Sequence, residues 1–123
     1  MNTCGVIREN EIIGTCDLDY KINYILSSLG IRHAMKGYQY LMEGIKMGIE
    51  DPESINYITK ILYIKLARKF KKTPSVIERN IRSAINSMPL SKYRAIVFSN
   101  DMGHYSNKEF ILHITHYVQY MMN

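Results

Sequence analysis

Two arginines and several short polar residues share one face of a predicted helix near the middle of the chain. At about 100° per residue, residues 74–88 separate into an apolar side and a polar side. The apolar side carries Ile77, Ile81, Ala84, Ile85 and Met88. The polar side carries Ser75, Glu78, Arg79, Arg82, Ser83 and Asn86. A helix that docks by its apolar side therefore presents two guanidinium groups to solvent.

These polar side chains have the donors and acceptors that read base edges in DNA. Arginine donates two parallel hydrogen bonds to O6 and N7 of guanine, and a carboxylate accepts from N4 of cytosine. Serine and asparagine reach bases or phosphates. The same residue types also occur on solvated helices, and Glu78 could act only as a helix cap. The pattern favours base reading by Ser75, Glu78, Arg79, Arg82, Ser83 and Asn86.

Positive charge is concentrated around this helix. The formal net charge is +5, and residues 60–82 hold eight lysines and arginines against one acidic residue, Glu78. That segment is therefore +7 and the rest of the chain is −2. Such a distribution is typical of a protein that binds a polyanion. The residues expected to contact DNA phosphates, which carry no sequence information, are Lys60, Lys69, Lys71, Lys72 and Thr73.

A preceding helix and a tight basic turn give this region the order of a helix-turn-helix. Ala67 in the preceding helix is small enough for a close helix crossing, although Lys71 stands where many such motifs have glycine. The second helix is predicted over about 74–88. Its start is either Thr73 followed by Pro74, or a capping box of Ser75 and Glu78. The residues leave open whether 52–70 is one helix or two with a kink near Tyr63.

Helical periodicity also covers most of the remaining chain. One helix is predicted from Asp17, as its N-cap, to Leu29, and another over 34–49, where Gly37, Gly44 and Gly48 favour close approach of a neighbour. The last helix opens with a capping box of Ser106 and Glu109 and ends near Met121.

Two stretches lack this periodicity. Residues 1–16 are expected to form a flexible arm or a short hairpin, and 89–105 contain a short apolar run at 95–98 and turn residues at 100–103. The chain is thus predicted to be one all-α domain, 17–123, with about six helices and a helix-turn-helix.

Several functional classes find no support in the residues. There is no membrane-length apolar stretch and no secretory signal, so a cytoplasmic location without membrane contact is expected. Cys4 and Cys16 are expected to be free thiols. His113 and His116 have no further ligand nearby in sequence to complete a metal site. Without a phosphate loop, nucleophile elbow or acid pair, neither an enzyme nor a cofactor is expected.

Five motifs resemble the C-terminal effector domain of the sporulation response regulator, stage zero sporulation protein A. They are HAMKGYQYL at 33–41, ITKILY at 58–63, LARKF at 66–70, SVIERNIRSAI at 75–85 and SNKEFI at 106–111. The resemblance spans about 22–118 in the family's order. It implies a trihelical or winged-helix-like domain that binds specific double-stranded DNA as a transcription factor, with Glu78, Arg79 and Arg82 on the recognition helix. It also implies pairing of two copies on DNA and contact with RNA polymerase.

The chain departs from that family at several positions. Val76 replaces a basic residue and Ser83 replaces a histidine on the DNA-facing helix, so a different base sequence is expected to be read. Ile64 replaces a proline, which predicts a softer helix break. Nothing in 1–16 resembles the family's phosphorylated receiver domain, so control through its own receiver is not expected. These departures leave an alternative open, a protein-interaction module that pairs with a full-length regulator or with RNA polymerase without reading an operator.

Overall fold

Helices make up the whole of the regular structure in the part of the chain that is described. The computed structural model describes residues 9–89 and 105–122, with side chains for 17–89 and 105–121. Its elements are α1 (Glu9–Ser28), α2 (Lys36–Glu50), α3 (Glu53–Asn56), a π-helical turn (Ile58–Leu62), α4 (Tyr63–Phe70), α5 (Pro74–Asn86) and α6 (Asn107–Met122). The all-α class is confirmed, and no β-strand wing lies within these ranges. Among the described helices, none is long and apolar enough to cross a bilayer.

The central helix of the fold is α2. It packs most extensively on α5 and α6, and it also contacts α1, α3 and α4. The apolar stripes predicted for these helices form one buried core, in which the fully enclosed side chains include Ile22, Leu26, Leu41, Ile45, Leu62, Leu66, Ile77, Ile81, Phe110 and Ile114. Because α2 packs on α5 as well as on the first and last helices of the core, it connects α5 to the rest of the domain.

Glycine brings α2 into direct contact with two of its neighbours. A Cβ atom at Gly37 would lie 2.8 Å from Cβ of Ala84 and closer still to the carbonyl oxygen of Asn80, so α2 crosses α5 at this point. A Cβ atom at Gly48 would lie 2.8 Å from Cγ1 of Ile55. At Gly44 the nearest atom would be 3.5 Å away, an ordinary contact. The predicted close approach is therefore confirmed at Gly37 and Gly48 and is wrong at Gly44.

The first helix begins earlier than its sequence pattern predicted. It starts at Glu9, and Asp17 lies inside it, where its carboxylate is 3.5 Å from Nζ of Lys21 rather than at an N-cap. The hairpin alternative is wrong because residues 12 and 13 are helical. The domain division at residue 16 stays a prediction. The run at 95–98, the turn at 100–103 and the side chains of Cys4 and Cys16 lie outside the described part.

The segment 52–70 is neither one straight helix nor two helices joined by a kink at Tyr63. The α3 helix ends at Asn56, and Tyr57 leaves the helical region with φ −113° and ψ 57°. The π-helical turn follows, and Leu62 and Tyr63 both have helical backbone angles where it passes into α4. The break therefore lies at Tyr57, and the turn buries Leu62 while leaving Thr59 and Lys60 exposed.

A tyrosine joins the start of α2 to α1. The hydroxyl of Tyr38 donates to the carbonyl oxygen of Asn23 at 3.2 Å, also contacts the side chain of Asn23, and lies 3.0 Å from Oγ of Ser27. The ring of His33 stacks on Tyr38 with centroids 4.4 Å apart. Burial raises the pKa of Tyr38, so the phenol stays protonated and able to donate. These contacts fix the first turn of α2, which is the turn that lies against α5.

Candidate nucleic-acid interface

Three residues connect α4 to α5 in a tight turn. Lys71 takes the left-handed conformation, with φ 57° and ψ 50°, and the N–H of Lys72 donates to the carbonyl of Ala67 at 2.9 Å. Thr73 is extended, and its Oγ accepts the N–H of Val76 at 3.2 Å. Pro74 occupies the first helical position. Of the two starts that the sequence left open, the structure has the Thr73 cap.

The two faces of α5 are those that the helical pattern predicted. On its apolar side, Ile77, Ile81 and Ala84 are fully enclosed. The residues predicted to read bases are exposed, namely Ser75, Arg79, Arg82, Ser83 and Asn86, while Glu78 is partly exposed. The structure thus brings all six onto one outward surface, which we call the reading face. Their contact with bases stays a prediction.

An ion pair lies across the reading face. The carboxylate of Glu78 accepts from Nη1 of Arg82 one helical turn later, and the two side chains are 37% and 49% exposed. Ion pairs at such exposure contribute about 0–1 kcal/mol, so this pair can open at little cost. While the pair is formed, Glu78 is occupied by Arg82. Arg79 has no ion pair with any described residue and is the free guanidinium of the surface.

The amide of Asn107 joins α5 to the two elements beside it. Its side chain is only 8% exposed, and Nδ2 donates to the hydroxyl of Tyr63 at 3.0 Å and to the backbone carbonyl of Glu78 at 3.1 Å. Burial raises the pKa of Tyr63, and the hydrogen bond from Asn107 offsets part of that rise. Sequence reasoning missed this residue. In the sequence, Asn107 is only an amide in the first turn of a predicted helix, and Ser106 already provides the cap there, so nothing indicated a contact with α5.

That helix start confirms the predicted capping box. The N–H of Ser106 donates to Oε1 of Glu109 at 3.0 Å, and the N–H of Glu109 donates to Oγ of Ser106 at 3.1 Å. The reciprocal bonds hold the first turn of α6 in place. They therefore also hold Asn107 against α5.

The residues predicted to bind phosphate do not form one group. Lys71, Lys72 and Thr73 are exposed together in the turn before α5. Lys69 on α4 has Nζ 3.5 Å from Oε1 of Glu43, so its charge is partly balanced by α2. Lys60 is exposed on the π-helical turn, a different element. The turn residues lie beside the reading face. Lys69 would have to break its ion pair with Glu43 before it could bind a phosphate.

The two histidines of α6 stand on a different helix from the reading face. The ring of His113 lies against Tyr105, with centroids 6.3 Å apart, and His116 is exposed. Among the side chains that the structure describes, no three of His, Cys, Asp or Glu come close enough together to hold a metal ion.

The chain matches a known protein family. A profile for the family described as sporulation initiation factor Spo0A C terminal matches residues 22–118 of the 123-residue chain. The matched region contains α4, the turn, α5 and the Asn107 contact, so the reading face lies entirely within it.

Proposed function

This chain belongs to the Spo0A C-terminal family of DNA-binding regulatory domains, and we propose that it reads a specific duplex sequence by placing α5 in the major groove. That family is regulatory rather than enzymatic. The observation that supports the proposal best is the reading face, a polar surface with two arginines on a helix whose other side is buried. A helix of this kind fits the major groove, where each base pair presents a distinct set of donors and acceptors.

Each residue of the interface has a proposed role. Arg79 and Arg82 donate to guanine, and Ser75, Ser83 and Asn86 contact neighbouring bases or the sugar–phosphate backbone. Glu78 either holds Arg82 in position or accepts from cytosine once the ion pair has opened. The residues proposed to bind phosphates are Lys60, Lys69, Lys71, Lys72 and Thr73, with Lys69 exchanging Glu43 for DNA.

The two departures on α5 bear on which sequence is read. Ser83 is exposed on the reading face and Val76 is half-buried at its edge. A serine is shorter than the histidine usual in the family and reaches less far into the groove. We therefore propose that the base preference differs from that of relatives with the usual residues, while the two arginines keep the same mode of docking.

Partners beyond DNA are part of the proposal. On the family resemblance we propose that two copies pair on one DNA site and that the protein contacts RNA polymerase. Exposed apolar side chains near the end of α6, Tyr120 at 77% and Met121 at 38%, offer one surface for such contacts. Binding to DNA would place the protein with the nucleoid in the cytoplasm. The alternative of an interaction module without operator reading shares these contacts but not base recognition.

Selection from a random duplex pool tests the proposal. The bound sequence is then titrated against an unrelated duplex at several salt concentrations. We expect a preferred sequence and steep salt dependence. We also expect Arg82→Ala to weaken specific binding by about 1–3 kcal/mol, or about 5–150-fold, and to relax the preference at one base pair. Lys21→Ala removes the same charge from α1 and serves as control.

Two outcomes would count against operator reading. One is no binding near physiological salt, and the other is equal binding to every duplex. Either result would favour the interaction module. A preference left intact in Arg82→Ala would remove only Arg82 from the residues that read bases.

A further inference from the structure

The α5 helix has a protein neighbour on each of two sides. On one side Gly37 of α2 lies against the carbonyl of Asn80. On the other side Asn107 of α6 donates to the carbonyl of Glu78. Residues 78 and 80 are about 200° apart around a helix, and Arg79 lies outward between them. The reading face is therefore bordered by the start of α2 along one edge and by the start of α6 along the other.

Lys36 stands at the α2 edge. It immediately precedes Gly37, it is exposed, and it lines a concavity of about 300 Å³ together with Lys72, His33 and Gln39. No acidic residue lines this concavity, and Lys36 has no ion pair with a described residue. Two lysines far apart in sequence thus share one depression beside the turn that leads into α5.

Lys108 stands at the α6 edge. It is exposed and lines a second concavity, of about 320 Å³, together with Thr59 and the Glu78–Arg82 ion pair. Its Nζ donates to the carbonyl of Asn56 at 3.2 Å. An ammonium group has three donors, so two remain available to another acceptor. The bond to Asn56 holds the ammonium group at the concavity that Arg82 also lines.

We infer that Lys36 and Lys108 bind DNA phosphates on the two opposite strands that border the groove holding α5. This inference rests on the proposed function. A helix with its side chains is about 10–12 Å across and the major groove is about 12 Å wide, so groups at both edges of the helix meet the two backbones. Both lysines lie outside the basic segment 60–82, and only the packing of α2 and α6 on α5 brings them to this surface.

Salt titration of the full chain tests each lysine separately. Lys36→Gln, Lys108→Gln and the charge-matched control Lys21→Gln are titrated with the selected duplex and with an unrelated duplex from 50 to 200 mM salt. Each lost phosphate contact lowers the slope of log Kobs against log salt by about 0.9. The ratio of wild-type to variant affinity should then fall about 3.5-fold across this salt range. The losses should be equal on both duplexes.

The outcomes separate this inference from the proposed function. If Lys36→Gln or Lys108→Gln has the same slope as Lys21→Gln, that lysine does not bind phosphate and the two-edged arrangement is wrong. The sequence preference of wild type would still stand in that case. If wild type shows no preferred duplex, the proposed function itself fails. Circular dichroism at the titration temperature confirms that each variant is folded.

Discussion

Replacing Gly37 with alanine should disturb α5 without touching any residue of the reading face. The added Cβ would lie 2.8 Å from Cβ of Ala84 and even closer to the carbonyl oxygen of Asn80. A carbonyl oxygen inside a helix cannot turn aside as the end of a flexible side chain can. The variant must therefore move α2 and α5 apart at their crossing, which loosens the packing that supports α5.

The structure also provides a matched control in the same helix. Gly44 lies two turns further along α2, where a Cβ would meet Cδ2 of Leu62 at 3.5 Å. That distance is an ordinary contact, so Gly44→Ala adds helix propensity without a clash. We expect Gly44→Ala to stabilise the protein by about 0.5–1 kcal/mol. The same substitution in one helix is thus expected to have opposite effects at the two positions.

The magnitude for Gly37→Ala combines two opposing terms. Overpacking costs about 1–3 kcal/mol, and the gain in helix propensity offsets up to about 1 kcal/mol of it near a helix start. A net loss of about 1–2 kcal/mol remains. The entropy of unfolding of a 123-residue domain is about 0.26 kcal/mol/K, so 1 kcal/mol corresponds to about 4 °C in Tm. Gly37→Ala should lower Tm by about 4–8 °C, and Gly44→Ala should raise it by about 2–4 °C.

Calorimetry measures the two shifts, and DNA titration of the folded variants gives the functional consequence. Because α5 is displaced in Gly37→Ala, specific binding should fall more than binding to an unrelated duplex. A Gly37→Ala protein with unchanged Tm and unchanged preference would show that α2 does not set the position of α5. Destabilisation of both variants to the same extent would show that flexibility of α2, and not its crossing with α5, is what the glycines provide.

Three further predictions follow from single contacts. Asn107→Ala removes the donor to Tyr63 and Glu78 and should lower the free energy of unfolding by about 1–3 kcal/mol, measured in urea. The exposed control Asn56→Ala should change it by no more than about 0.5 kcal/mol. Equal effects of the two variants would contradict a stabilising role for the Asn107 amide. Lys71→Gly removes the steric strain of a side chain at a left-handed position and should raise the free energy of unfolding by about 0.5–1 kcal/mol. It also removes a positive charge, so it should weaken binding equally on all duplexes. A fall in the urea midpoint would argue against the strain. Glu78→Gln releases Arg82 and removes a negative charge from the reading face. Affinity for an unrelated duplex, where Glu78 reads no base, should therefore rise at 50 mM salt, and the gain should shrink at 200 mM. An unchanged affinity for that duplex at 50 mM would contradict this expectation.

Much of the fold follows from local patterns. The stripe containing Ile77, Ile81 and Ala84 has the helical period, and these side chains are buried. The box formed by Ser106 and Glu109 also appears as predicted, because capping depends only on residues within one turn. Signals of this kind are strong because neighbours along the chain are neighbours in space.

The predicted helix boundaries are wrong where contacts between distant residues, or competing local signals, determine the backbone conformation. No breaker marks Tyr57, yet the chain leaves the helix there and makes a π-helical turn, which puts Leu62 into the core. The helix predicted from Asp17 instead begins at Glu9, because an N-cap residue type can also lie inside a helix. Propensity alone does not distinguish these cases, since packing and the preceding residues outweigh a single weak signal.

The all-α class, the family and the residues of the reading face could all be predicted from the residues alone. Helical period, caps and motif order are properties of short stretches, so no knowledge of the packing was needed. Which of the charges are free of an ion pair, in contrast, depends on how the helices pack. The tertiary structure pairs Lys69 with Glu43 and Arg82 with Glu78, and it leaves Arg79 without an ion pair among the described residues. It also brings Lys36 and Lys108 to the two edges of α5, because α2 and α6 pack on that helix from opposite sides.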